Sequence, residues 1–167
     1  MLLACKRNGL VTWAGYIIGF PGDTRESVLR DVETLKRELP IDLLEFFFLT
    51  PLPGSVDHQR LASAGVPMDD DLNKYDLNHA VTGHPRMSKA EWEEMYRLAW
   101  QSYYTKEHCE TIMRRAAASG VHPNRMYVTL AYFHHAVAVE GVHPLEGGIF
   151  RRKFRRDRRS GVAPRFP

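Results

Sequence analysis

Cysteine is nearly absent, with Cys5 and Cys109 the only two in 167 residues. That excludes a disulfide scaffold and fits a reducing compartment. Long apolar runs are missing too: none approaches the roughly 18 residues that a membrane span requires. The length falls short of the roughly 250 residues that a complete eight-unit α/β barrel usually takes, so one core is expected and a full barrel is not. No internal repeat is visible. Apolar residues make up 44% of the chain and charged residues 26%, a balance that excludes disorder throughout.

Net positive charge is confined to one segment. The net charge is +3, yet residues 151–159 (RRKFRRDRR) hold seven cations and one anion, which leaves the rest of the chain at −3. A basic tail is weak support for nucleic-acid binding, because a binding face needs cations arranged on a folded surface and interleaved aromatics, and only Phe154 interleaves these. An RNA-binding or anionic-surface module through this tail stands as an alternative reading, since clustered guanidiniums gain affinity by counterion release. Leu2-Leu3-Ala4-Cys5 has the outline of a lipoprotein cleavage box, but no apolar stretch of about 7 to 15 residues precedes it. The chain is read as cytoplasmic, with no membrane partner.

Residues 12–20 (TWAGYIIGF) are rich in β-branched and aromatic side chains and stop at Pro21-Gly22, which predicts a buried strand and a turn. Asp23, with Glu26 three residues on, predicts an N-cap and capping box. Val28, Val32, Leu35 and Leu39 then recur at helical spacing up to Pro40, and residues 43–49 (LLEFFFL) predict a second strand. Strand, helix and strand at this spacing make a parallel, right-handed βαβ unit. A polar stretch over residues 69–85 follows. Ser88 and Glu91 predict another capping box, opening a helix lined by Trp92, Met95, Tyr96, Ala99, Trp100 and Tyr103. Further helices are expected over residues 108–119 and 124–140. The predicted class is α/β, with a partial (β/α) barrel unit over residues 1–58, an α-helical extension over 59–146 and a basic flexible tail over 147–167.

Period-two alternation places Gly15, Ile17 and Gly19 on one strand face and Ala14, Tyr16, Ile18 and Phe20 on the other. The first face is nearly bare. Bareness suits a barrel lumen that must admit a ligand, and it equally suits a helix that needs close approach. In either case the loops leaving the two strands, residues 20–24 and 50–55, lie at the end where α/β barrels bind ligands.

Gly15-Tyr16-Ile17-Ile18-Gly19-Phe20-Pro21-Gly22-Asp23-Thr24-Arg25-Glu26 resembles the fifth-strand Gly-x-Ile-x-Gly segment of radical S-adenosylmethionine enzymes, especially the cobalamin-binding-domain-associated type. Leu49-Thr50-Pro51-Leu52-Pro53-Gly54-Ser55 resembles the exit of the sixth strand of the same barrel. The resemblance covers residues 4–55, and the residues from Met68 to His79 with the helices after them resemble the C-terminal extension of one subgroup. It implies reductive cleavage of S-adenosylmethionine by a [4Fe-4S] cluster, with cobalamin where a missing upstream domain supplies it. Carried over by position, Gly15, Ile17 and Gly19 line the cofactor pocket, with Ile17 against adenine and backbone groups near Leu49 and Thr50 on its edge. The chain departs from the family in one respect: it has no Cys-x3-Cys-x2-Cys run, and two cysteines 104 positions apart cannot replace three clustered thiolates. The expectation is therefore a C-terminal portion or truncated product that lacks a metal site and is inactive alone. It would need a missing N-terminal barrel half or partner chain to act on a small-molecule substrate. The alternative is a non-catalytic remnant or interaction subunit.

Other residues have two readings each. Glu45 shares a face with Leu43 and Phe47, and either points into the lumen or pairs with a neighbouring strand. His79 and His84, near Asp76 and Asn78, match no metal-ligand spacing with a mechanism and read as loop hydrogen-bonding groups. Of His134 and His135, one is expected to pack and one to be solvated. The aromatic stripe from Trp92 to Tyr103 reads as core, with a cofactor wall as the alternative. Cys5 and Cys109 read as buried thiols.

Overall fold

The computed structural model of the chain describes residues 1–147. The basic run at residues 151–159 lies outside the described residues. Contacts divide the chain into a first unit, Met1–Ala131, and a second that begins at Tyr132.

The elements run α1 (Leu2–Arg7), β1 (Trp13–Ile18), α2 (Arg25–Glu38), β2 (Leu43–Phe48), α3 (Val56–Ser63), α4 (Lys89–Tyr103), α5 (Lys106–Ala118) and α6 (Pro123–His134). The fold is mixed α/β and mostly helical, around a two-stranded parallel sheet; the described residues do not close a barrel. β1 and β2 pair in register from Trp13 with Leu43 to Ile18 with Phe48.

The even-numbered side chains of the sheet face the helices. Phe46 meets Trp100 and Tyr103 edge-on, and Phe48 meets Trp92 edge-on while stacking on Tyr96 at 4.5 Å. Aromatic pairs of this geometry favour offset and T-shaped contact because ring edges are positive and faces negative. The stripe read from the sequence is thus core: Trp92, Met95, Ala99, Trp100 and Tyr103 are buried, together with Val28 and Val32 of α2, which packs on α4. Leu39 lies past the end of α2 and is exposed.

Two helix starts differ in how closely they follow expectation. Ser88 caps α4, accepting from the Glu91 N–H while Glu91 Oε2 accepts from the Ser88 N–H at 2.8 Å, as the spacing predicts. α2 is capped one residue later than expected. Thr24 accepts from the Ser27 N–H and Ser27 Oγ accepts from the Thr24 N–H at 2.9 Å, because the Asp23 carboxylate is engaged behind it.

The outer edge of β2 is closed by side-chain and loop groups. Tyr104 Oη accepts from the Leu44 N–H at 3.0 Å and donates to the Leu44 carbonyl at 2.8 Å. The Phe48 N–H donates to the Leu77 carbonyl at 2.8 Å, and Leu77 itself sits in the left-handed region at φ +69°. Edge strands left open invite pairing with other chains, and this one is blocked. At the opposite end of the strand, Asp42 is fully buried. It accepts from Lys6 and from the Thr12 N–H and hydroxyl, tying α1 to the start of both strands.

α6 ends at His134 and is followed, in the second unit, by a short π-helical turn, His135–Val139. The Tyr132 hydroxyl donates to the carbonyls of Pro144 and Gly147. His134 and His135 are both exposed, contrary to the expectation that one packs; the wider π turn starts between them, and His135 Nε2 meets Glu140 at 3.2 Å.

Candidate functional site

The candidate site lies at the carboxyl end of the sheet, where both strands release their chains. Gly15 and Ile17 lie on the face of β1 turned away from the helices, and Ile17 keeps 43% of its surface exposed. Trp13 shares that face and is exposed as well. The ring of Phe47, which is paired in register with Ile17, covers the space beside Gly15: a Cβ on Gly15 would stand 3.0 Å from Phe47 Cε2. Leu49 joins the group through its N–H, which donates to the Ile18 carbonyl at 2.8 Å, and the Thr50 hydroxyl donates to the Phe48 carbonyl at 3.2 Å. Both are half-buried.

Gly19 is turned elsewhere. β1 ends at Ile18, and Gly19 takes φ +114°, so the alternation that would align it with Gly15 is broken. A Cβ there would fall inside the indole of Trp92, 2.8 Å from Nε1 and nearer still to the ring carbons. Of the two readings of the bare face, close approach of a helix describes Gly19, and open space describes the surroundings of Ile17.

Glu45 is on the same face as Gly15, its register partner. Its Oε2 accepts from Trp13 Nε1–H at 2.8 Å. Burial pushes this carboxyl upward, opposed by the Trp13 hydrogen bond, so its acid–base behaviour is set by desolvation on an otherwise apolar face.

The turn joining β1 to α2 is held by several side chains. Asp23 Oδ2 accepts from the Gly19 N–H at 2.8 Å and the Phe20 N–H at 2.9 Å, and this is what removes Asp23 from the helix cap. Trp92 Nε1–H donates to the Ile18 carbonyl at 3.3 Å. His84 and Arg86 reach the same turn from the loop before α4. Sequence reasoning placed the turn and the stripe but not these bonds, since a single side chain meeting a backbone group 64 positions away leaves no periodic trace.

His79 bonds Asp76 at 2.9 Å, in keeping with its reading as a loop group. Among the described residues no group of three His, Cys, Asp or Glu side chains is placed to hold a metal ion. Cys5 and Cys109 are free and half-buried, and burial pushes the Cys109 thiol up, which disfavours the thiolate a metal would need. The residues present therefore do not fit an iron-sulfur cluster. No described helix is long and apolar enough to cross a membrane.

No family model matches the chain. Over 120 residues it is 28% identical to an uncharacterized methyltransferase of Pyrococcus horikoshii, a match that covers 66% of this chain and 26% of that protein. The chain thus spans about a quarter of the length of the curated relative it matches. No solved structure matches.

Proposed function

We propose that this chain is the C-terminal portion of a radical S-adenosylmethionine enzyme and forms part of the cofactor pocket, with the cluster-binding cysteines supplied elsewhere. Residues 1–58 contribute two barrel strands, residues 59–146 a helical extension. The observation that carries the reading is the open face at the carboxyl end of a parallel βαβ unit. There exposed Ile17, Gly15 beside the Phe47 ring and the Leu49-Thr50 exit lie together, and Leu49 is hydrogen-bonded to the strand that bears Ile17. An apolar side chain flanked by backbone polar groups is the usual division of labour for a flat heteroaromatic ring. Similarity to a protein named as a methyltransferase supports S-adenosylmethionine as the ligand class. In this reading Gly19 contributes indirectly, by letting Trp92 support the turn.

The test is a titration of the isotope-labelled chain with S-adenosylmethionine alone, read by amide shifts, beside anaerobic reconstitution with iron and sulfide. Shifts are expected at Gly15, Ile17, Leu49 and Thr50, without retained iron. About four irons per chain with release of 5′-deoxyadenosine under reduction would overturn the fragment reading. Absence of shifts at those amides would overturn the pocket reading. A second reading, a non-catalytic half that completes another chain's sheet, is favoured by a separate observation. β1 has β2 as its only strand partner among the described residues, and Trp13 and Ile17 along it are exposed.

A further inference from the structure

We propose that His84 and Arg86 are positioning residues for the ligand-facing turn, so that the segment before α4 is a working part of the site rather than a separate appendage. The inference rests on the cofactor reading above and adds a role for the extension.

The turn from Ile18 to Asp23 is held at several of its backbone polar groups, while Phe20 and Gly22 at its surface stay exposed. His84 Nε2 lies 2.9 Å from the Phe20 carbonyl, and Arg86 Nη1 donates to the Gly22 carbonyl at 3.2 Å. The Gly19 and Phe20 amides are taken by Asp23, and the Ile18 carbonyl by Trp92 and Leu49. A Pro-Gly turn leading into a helix that is already capped by Thr24 and Ser27 needs none of these long-range bonds to form. Their effect is to hold a solvent-facing turn in one geometry, which is what a preorganised binding loop requires.

The tautomer of His84 is dictated by its partners. Its Nδ1 accepts from the N–H groups of Arg86 and Met87, both at 3.1 Å, so that nitrogen carries no proton. The proton is then on Nε2, whose partner among the described residues is a carbonyl oxygen, an acceptor. One ring thus ties the loop to itself through Nδ1 and to the turn through Nε2. The ring also lies 5.3 Å from the Trp92 ring, beside the indole that fills the space at Gly19.

His84→Asn separates the two ties. An asparagine oxygen accepts from the N–H two residues on, keeping the loop's own turn, but is too short to reach Phe20. Arg86→Ala removes the second bond. The measurements are amide exchange at Gly19 and Phe20, imidazole nitrogen shifts, and S-adenosylmethionine titration of the full chain, each beside a thermal melt. Expected results are an Nε2–H imidazole in the parent and an unchanged melt for His84→Asn. Exchange should be about three- to tenfold faster at Gly19 and Phe20 in each variant, with affinity weakened by a similar factor. Unchanged exchange in both variants, or an Nδ1–H imidazole in the parent, overturns the latch. Faster exchange with unchanged affinity overturns the positioning role. A parent chain that shows no response to S-adenosylmethionine overturns the cofactor reading and the positioning role together, and the exchange data still report on the latch by themselves.

Discussion

Gly19→Ala is the substitution that divides space made for a ligand from space made for a helix. Two costs act together. At φ +114° a residue with a Cβ is strained whatever surrounds it, which typically costs about 1–3 kcal/mol. The new methyl would also overlap the Trp92 indole, a large ring buried in the core that cannot swing away, and overpacking of this kind costs about 1–3 kcal/mol. A total of about 2–6 kcal/mol is a large part of the roughly 5–15 kcal/mol that stabilises an ordinary domain. Urea unfolding followed by circular dichroism measures it. Trp92→Leu in the same chain relieves the overlap but not the backbone strain, so a double-mutant cycle should return a coupling of about 1–3 kcal/mol, equal to the steric share. A Gly19→Ala protein within about 0.5 kcal/mol of the parent would refute the packing account of this glycine. Gly15→Ala is the contrast. Its Cβ meets the edge of the half-buried Phe47 ring at 3.0 Å, so the ring shifts by a few tenths of an ångström, and the loss of unfolded-chain entropy offsets part of the cost. Gly15 is therefore the glycine of this strand at which a small side chain can be added without unfolding the chain.

His108 is buried and its imidazole is pushed down to about 4 by desolvation first, then by the charges of Arg115 and Lys36. Because the unfolded chain takes up this proton near 6.5, the stability it contributes is present above that pH and is lost as pH falls toward 4. About 2 kcal/mol should be gone by pH 5, and His108→Leu should flatten that part of the pH profile of the urea midpoint; an equal slope in both proteins would contradict this. Tyr104→Phe removes the hydroxyl from the Leu44 N–H and carbonyl, so a loss of about 1–3 kcal/mol is expected, with self-association seen by light scattering as the β2 edge opens. Thr24→Ala should cost about 1 kcal/mol and speed amide exchange in the first turn of α2, whereas Asp23→Ala should speed exchange at Gly19 and Phe20 instead. The reverse pattern would restore Asp23 as the cap.

Repeating local pattern made the framework legible. The strand–helix–strand order, the Ser88 and Glu91 capping box and the Trp92 to Tyr103 stripe rest on spacings of two, three and four residues. These follow from strand and helix geometry and can be read without tertiary contact. The short helix α1 and its Lys6 bond to Asp42 were not legible, since six residues carry too few turns for a periodic signal and the partner is 36 positions away.

Sequence alone determined the parallel βαβ unit and the helical region after it. Tertiary structure decided which glycine gives way to a helix. It sent Asp23 to the Gly19 and Phe20 amides instead of the helix end, and it closed the β2 edge with Tyr104 and the turn with His84. These outcomes depend on where one polar atom or one missing Cβ stands relative to a distant group. That position is set by the packing of α4 on the sheet and on α2, which no local spacing encodes.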